Sequence, residues 1–338
     1  MNNLKRVLVT GGLGFIGSHA IKSLVNSKNS EIVNVDNCTY ASNPENLKEI
    51  NSNRYSFIKE DICNFNEISK IIMDFKPTYV LHFAAESHVD NSINNSFDFV
   101  NSNIIGTYSL LEASKRYFKA MGLDNSKFCF HHISTDEVFG DLALDAEPFS
   151  ELTRYDPSSP YSATKASSDH LVRAWYRTYD LPVKITNCSN NYGPNQHEEK
   201  LIPKTIISCI KGLNIPIYGN GMQIRDWLYV EDHIDAILAV AEKGYIGRTY
   251  NVGGNLELKN LEIVNSVCEY FDLNVEEKPN KINSFHDLKE FVTDRPGHDR
   301  RYAIDCRKIG KELGWVPKTD FSTGLKNTIE WYINNIKL

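Results

Sequence analysis

The segment TGGLGFIG at residues 10–17 constrains this chain most. It joins the apolar run RVLV to the amphipathic FIGSHAIKSLVN, so strand, glycine turn and helix follow in one stroke. Glycines 11, 14 and 17 let the backbone approach a pyrophosphate, and the helix N-terminus offers free N–H groups with a partial positive charge. A ligand-free strand-to-helix turn would use the same glycines, so context decides. EIVNVD supplies it, as a second strand closing on Asp36 near the ~20-residue spacing of a ribose-binding acid. A carboxylate there accepts from both ribose hydroxyls and repels a 2′-phosphate, which favours NAD over NADP. Asp61, at the end of the third strand YSFIKEDI, reads equally as a strand-end turn acid and as a partner for the adenine amino group.

The pattern continues as strand and helix in alternation. Strands are expected over 55–62, 78–85, 127–134 and 182–189, and helices over 66–75, 100–118 and 162–179. The run TYVLHFAA is apolar throughout, as in a strand covered on both faces. Such alternation implies a Rossmann-type α/β fold, a doubly wound parallel sheet with right-handed crossovers. Beyond residue 190 the texture changes. NNYGPNQHEEKLIP is loop-like, and later short helical and extended patterns suggest a smaller C-terminal α+β substrate domain. The expected division is 1–190 for the dinucleotide and 191–338 for the substrate, with part of 223–255 returning to the first unit.

Composition narrows the function. A net charge of −6 argues against a nucleic-acid face. No run of 18 or more apolar residues spans a membrane, and the N-terminal apolar strand is too short for a signal-peptide core. The seven cysteines are scattered without CxxC spacing, as free thiols of a cytoplasmic protein would be. His131 and His132, adjacent on a strand, point to opposite faces, so no metal site is expected.

Two further features carry chemistry. YSATK places Tyr161 and Lys165 four apart on one helix face. A lysine beside a phenol favours the phenolate, so Tyr161 is expected to have a lowered pKa and to act as a base. At STDEVFG (134–140) a strand gives way to Thr135, and Asp136 then stands beside Glu137. Two adjacent carboxylates push their pKa values apart, which favours one proton on the pair.

TGxxGxxG, a Thr after a strand, and YxxxK together resemble the extended short-chain dehydrogenase/reductase family over nearly the whole chain. Seven stretches, from HFAAESHVDNSI through FHHISTDEVFGDL to DRPGHDRRYAID, are similar to its dTDP-glucose 4,6-dehydratase subfamily. The resemblance implies tightly bound NAD and a three-stage reaction: oxidation at carbon 4, loss of water across carbons 5 and 6, and reduction at carbon 6. Tyr161 would take the 4-hydroxyl proton, Thr135 would hydrogen-bond that oxygen, and Lys165 would hold the nicotinamide ribose. Glu137 would remove the carbon-5 proton, and Asp136 would protonate the leaving hydroxyl.

Position by position, the resemblance adds Phe15, Ile16, Asn37, Ile62, Phe83, Ala84, Ala85, Glu86, Ser102 and Asn191 as NAD contacts, beside Gly11, Gly14, Gly17, Asp36 and Asp61. It assigns Ser87, Asn190, Lys200, Leu201, Tyr218, Arg225, Asn260, Asp294, Arg295 and His298 to the nucleotide sugar, with the arginines suited to clamp its pyrophosphate. It also implies a homodimer through a four-helix bundle of 100–118 and 162–179. GPNQHEEK departs from the subfamily's commoner aromatic loop, which leaves UDP-glucose as the alternative substrate. An epimerase or decarboxylase on the same fold, and a non-catalytic NAD-binding scaffold, are the competing readings. The acid pair opposes an epimerase, and the retained Tyr161 and Lys165 oppose a scaffold.

Overall fold

The computed structural model describes residues 5–27 and 29–336. In chain order the strands among them are β1 Arg6–Thr10, β2 Glu31–Asp36, β3 Tyr55–Lys59, β4 Tyr79–His82, β5 Cys129–Thr135, β6 Val183–Cys188, β7 Asn190–Tyr192, β8 Ile215–Tyr218, β9 Ile224–Tyr229, β10 Thr249–Val252, β11 Glu257–Lys259 and β12 Lys289–Val292. The α-helices are α1 Phe15–Asn26, α2 Phe65–Phe75, α3 Val89–Asn94, α4 Ser96–Phe99, α5 Thr107–Ala120, α6 Pro160–Tyr179, α7 Leu201–Lys211, α8 Val230–Lys243, α9 Asn260–Asn274, α10 Arg307–Leu313 and α11 Phe321–Asn335.

Seven strands form one sheet in the order β10-β6-β5-β4-β1-β2-β3, every neighbouring pair parallel. Apolar side chains leave both faces because helices cover both. Leu8, Val33, Val80 and Phe130 pack against residues of α2, α5 and α6 on one side, while Val7, Val9, Ile32 and Leu81 meet α1 and α8 on the other. The strand order reverses between β1 and β4, which opens a crevice at their carboxyl ends.

The rest of the chain builds a smaller body. β11, β9 and β7 form one sheet, and β8 pairs with β12. Their core gathers Ile206, Val267, Phe271, Phe285 and Ile329 from α7, α9, the turn near 285 and α11. NNYGP, expected as loop, contains β7, because Asn190–Tyr192 pairs in parallel with Trp227–Tyr229.

A helix expected over 100–118 instead divides. Val100–Gly106 is π-helical, and the α-helix begins at Thr107. Asn103 in the π turn donates to the Glu86 carbonyl (3.0 Å) and to Thr164 Oγ1 (2.9 Å), and its Oδ1 accepts the Glu86 N–H (2.9 Å). One side chain therefore ties the segment after β4 to helix α6. π turns recur where a side chain must be re-aimed at a site.

Candidate active site

Gly11 adopts φ +71°, and a Cβ there would lie 2.6 Å from the Ala84 nitrogen. A Cβ on Gly17 would lie 2.3 Å from the Gly11 carbonyl oxygen. These glycines thus let three backbones close on one another. Helix α1 starts with no side-chain cap and no acidic residue in its first turn, which leaves its N-terminal N–H groups open to an anion.

Asp36, buried at the end of β2, already accepts from Leu13 N–H (3.0 Å), Cys38 N–H (2.9 Å) and Ser42 Oγ (2.6 Å). It therefore braces the glycine loop, and a carboxylate retains capacity for a ribose hydroxyl. Asp61 fills the turn role, accepting from Cys63 N–H (2.8 Å) and Asn37 Nδ2 (3.0 Å), and it also faces the crevice.

The crevice is a cavity of about 500 Å³. Every residue expected to contact NAD lines it, from Gly11 and Asp36 to Ser102, Tyr161, Lys165 and Asn191. The glycine cradle, the uncapped helix and the acid at β2 suit a dinucleotide. Asn191 is aimed from below, its Oδ1 2.8 Å from His233 Nδ1. Burial holds His233 at about 3, so that ring is neutral.

Thr135, Asp136 and Glu137 line the same cavity. Strand β5 ends one residue later than expected, on Thr135, and Asp136–Phe139 then forms a 3₁₀ turn capped by the Thr135 hydroxyl, which accepts the Glu137 N–H at 3.3 Å. Helix α6 begins at Pro160 with a reciprocal Ser159–Ser162 capping box, which sets Tyr161 in its first turn. There Tyr161 is buried and lines the cavity together with Thr135.

The two acids differ in surroundings. Burial raises Asp136 well above the carboxylate range, and the charges of Glu137 and Asp226 raise it further. Its Oδ2 is buried without a hydrogen-bond partner. Burial also raises Glu137, but the charges of Arg295, Lys200 and Arg225 pull it back. Burial and neighbouring acids favour the neutral form of Asp136, while the charges around Glu137 are largely positive.

The expected lowering of the Tyr161 pKa is overturned. Burial pushes it well above 10, and Glu137 adds to the rise. Lys165 Nζ instead donates to the Ile133 carbonyl (2.8 Å), and burial brings the ammonium down to about 8.

The residues expected to hold the nucleotide sugar divide. Ser87, Asn190 and Lys200 line the cavity, with Lys200 Nζ on the Ser87 carbonyl at 3.1 Å. Leu201, Tyr218, Arg225, Asn260, Asp294, Arg295 and His298 do not line it. They cluster on the smaller body. Asp90 receives both Tyr218 OH (2.8 Å) and Arg295 Nη1 (3.1 Å). Asp294 receives His298 Nδ1 (2.7 Å) and Gln223 Nε2 (2.9 Å), and Asn260 N–H reaches the Gln223 carbonyl (3.0 Å). Arg225 lies over the Tyr302 ring at 4.2 Å and donates to the Asp299 carbonyl (2.9 Å).

The expected set lacked Asp226, whose buried carboxyl is raised to about 7 beside Asp136 although Gly254 and Leu256 N–H groups donate to it at 3.1 Å. It also lacked Glu199 at the cavity wall, which accepts from Tyr40 OH at 3.4 Å. The acid following Arg225 in RDW was the available signal for the first. Nothing in the sequence pairs residue 40 with residue 199.

Comparison with known proteins places this architecture. The family model described as GDP-mannose 4,6 dehydratase matches residues 8–328. A dTDP-glucose 4,6-dehydratase of Haemophilus influenzae is 53% identical over 336 residues, covering 98% of this chain and 99% of the relative. A crystal structure of a Streptomyces venezuelae dTDP-glucose 4,6-dehydratase, solved with NAD bound, aligns with a TM-score of 0.89 at 38% identity, over 98% of this chain and 97% of that one. A UDP-glucose 4-epimerase of Thermotoga maritima aligns with a TM-score of 0.85 at 27% identity, over 98% and 100% of the two chains.

Proposed function

The chain belongs to the family matched by the GDP-mannose 4,6-dehydratase model, and from that membership we propose that it is an NAD-dependent hydro-lyase converting dTDP-glucose to dTDP-4-keto-6-deoxyglucose. The observation that carries this reading is the unequal acid pair at the end of β5. An epimerase moves a proton and a hydride at one carbon. Loss of water needs, in addition, a base for the carbon-5 proton and an acid for the departing 6-hydroxyl. Asp136, enclosed with two other acids, is a proton donor, and Glu137, facing three cations, is the base.

Tyr161 takes the proton of the 4-hydroxyl, and Thr135 holds that oxygen. The high Tyr161 pKa of the protein alone means that this phenol depends on added positive charge for its basicity. NAD held by the cavity residues would supply the hydride chemistry, and its nicotinamide would add positive charge near Tyr161. The cavity residues from Gly11 to Asn191 hold NAD in this reading. Ser87, Asn190, Lys200, Leu201, Tyr218, Arg225, Asn260, Asp294, Arg295 and His298 hold the nucleotide sugar, with Arg225 and Arg295 on its pyrophosphate.

UDP-glucose is not favoured. The relative named for dTDP-glucose is 53% identical, against 27% for the neighbour named for UDP-glucose. Residues 1–190, with part of 223–255, form the cofactor half in this reading, and 191–338 the substrate half. The setting is cytoplasmic, consistent with seven free cysteines. Among the described residues no helix is long and apolar enough to cross a membrane.

The chain pairs with a second copy through α5 and α6 in a four-helix bundle. Exposed Ile105 and Tyr108, and the Trp175 ring 5.7 Å from Tyr108, supply apolar surface for that contact.

The test is Glu137→Gln. Mixed with dTDP-glucose, this variant is expected to accumulate reduced nicotinamide, seen by its near-ultraviolet absorbance, while product falls by roughly 10²–10⁴-fold. Product at the wild-type rate would remove Glu137 from the role of base.

A further inference from the structure

Resting on the proposed reaction, in which Lys165 holds the nicotinamide ribose, the geometry points to Asp169 as a positioning residue, whose buried carboxylate balances the Lys165 ammonium from one helical turn away and keeps that cation charged beside Tyr161. Lys165 and Asp169 stand four apart on α6, hence as neighbours on one face. Lys165 is 4% exposed and Asp169 0%. A buried ammonium facing a carbonyl alone would be under-compensated, because a carbonyl dipole does not neutralise a charge.

The groups facing this pair narrow the choice of counter-charge. His82 on β4 and His132 on β5 are both held neutral by burial, His132 at about 4. The Cys188 thiol on β6 is pushed up to about 12, first by burial. Asp169 behaves differently. Burial opposes its charge, yet contacts from His132, the charge of Arg173 and the Tyr155 hydrogen bond hold it below the ordinary carboxylate range. It is therefore the anion next to Lys165, and it limits the fall that burial imposes on the ammonium.

The carboxylate is also fixed in place. Tyr155 OH donates to Oδ2 at 2.7 Å, and Arg173 Nη2 in turn donates to the Tyr155 oxygen at 2.6 Å. Asn187 Nδ2 donates to Oδ2 and to the Thr135 carbonyl, each at 3.1 Å, so the position of Asp169 is tied to the backbone beside Asp136. His132 Nε2 lies 3.3 Å from Oδ1 but out of line for a hydrogen bond. None of these side chains lines the cavity.

The experiment measures the pH dependence of Lys165 acetylation by acetic anhydride in the full-length protein, read by peptide mass spectrometry. Asp169→Asn removes the anion and is expected to move the Lys165 midpoint down by about one pH unit or more. Asp169→Glu keeps a carboxylate there and is expected to hold the midpoint near the wild-type value. The alkaline limb of the turnover profile should fall with Asp169→Asn and be restored with Asp169→Glu, which a purely structural lesion would not produce. An unchanged midpoint in folded Asp169→Asn protein overturns the assignment. If that variant does not fold, the double variant Asp169→Asn/Lys165→Met decides: recovery of folding once the unbalanced ammonium is gone supports the assignment, and no recovery overturns it. The labelling needs no turnover. A wild-type protein inactive on dTDP-glucose would therefore defeat the functional reading and leave the labelling result standing.

Discussion

Asp136 has burial, Glu137 and Asp226 all acting against its charge. Its folded pKa is therefore raised, so its contribution to stability is present below the unfolded value of about 3.9 and is lost as pH rises. At neutral pH this group destabilises the fold. Asp136→Asn should consequently raise the Tm relative to wild type, by a margin that grows as pH rises above about 4. The same variant should slow formation of product. A thermal melt showing no gain near pH 8 would mean that Asp136 is not strained in the way described. Each acid was legible in STDEVFG, and so was their adjacency. Which one keeps the proton was not. That depends on Asp226, Arg225 and Arg295, brought in from far along the chain, so no local pattern records it. The rise in the Tyr161 pKa was illegible for a related reason. Spacing on a helix places Lys165 near the phenol, but it does not report the depth of burial or the carbonyl that takes the ammonium.

At the scale of elements, the glycine turn does the most with the least. A methyl group at residue 17 would sit 2.3 Å from the Gly11 carbonyl oxygen, and a backbone atom cannot step aside as a side chain end can. Overpacking of this kind costs about 1–3 kcal/mol. Gly17→Ala is therefore expected to weaken NAD binding by about tenfold or more, measured by calorimetry on cofactor-stripped protein. Unchanged affinity would show that the turn opens freely. Strands β1, β2 and β5 and helices α2 and α6 were readable because apolar periodicity and glycine or proline stops agree there. β7 was not, because three residues rich in asparagine become a strand only when Trp227–Tyr229 lies alongside. The π turn at 100–106 was hidden by a sequence that reads as uninterrupted helix, since the bonds of Asn103 to Glu86 and Thr164 are tertiary.

At the scale of the whole molecule, the cofactor cavity and the cationic cluster come from different bodies and meet at Glu137. The charges of Lys200, Arg225 and Arg295 act on that carboxylate from the smaller body, while Gly11, Asp36 and Tyr161 come from the sheet and its helices. The surface of α5 and α6 points to association. Sedimentation is expected to give twice the chain's 38.5 kDa, and Tyr108→Glu, which places a charge on that face, should give the single-chain mass. A wild-type monomer at micromolar concentration would refute the bundle.

The most direct test supplies dTDP-glucose and UDP-glucose deuterated at carbon 4 and locates the deuterium in the product. Loss of one water from dTDP-glucose in preference to UDP-glucose, with deuterium found on carbon 6, is the expected result. It would join oxidation, elimination and reduction in one site that retains its cofactor. Product of unchanged mass with deuterium still on carbon 4, from protein shown to contain NAD, would contradict it.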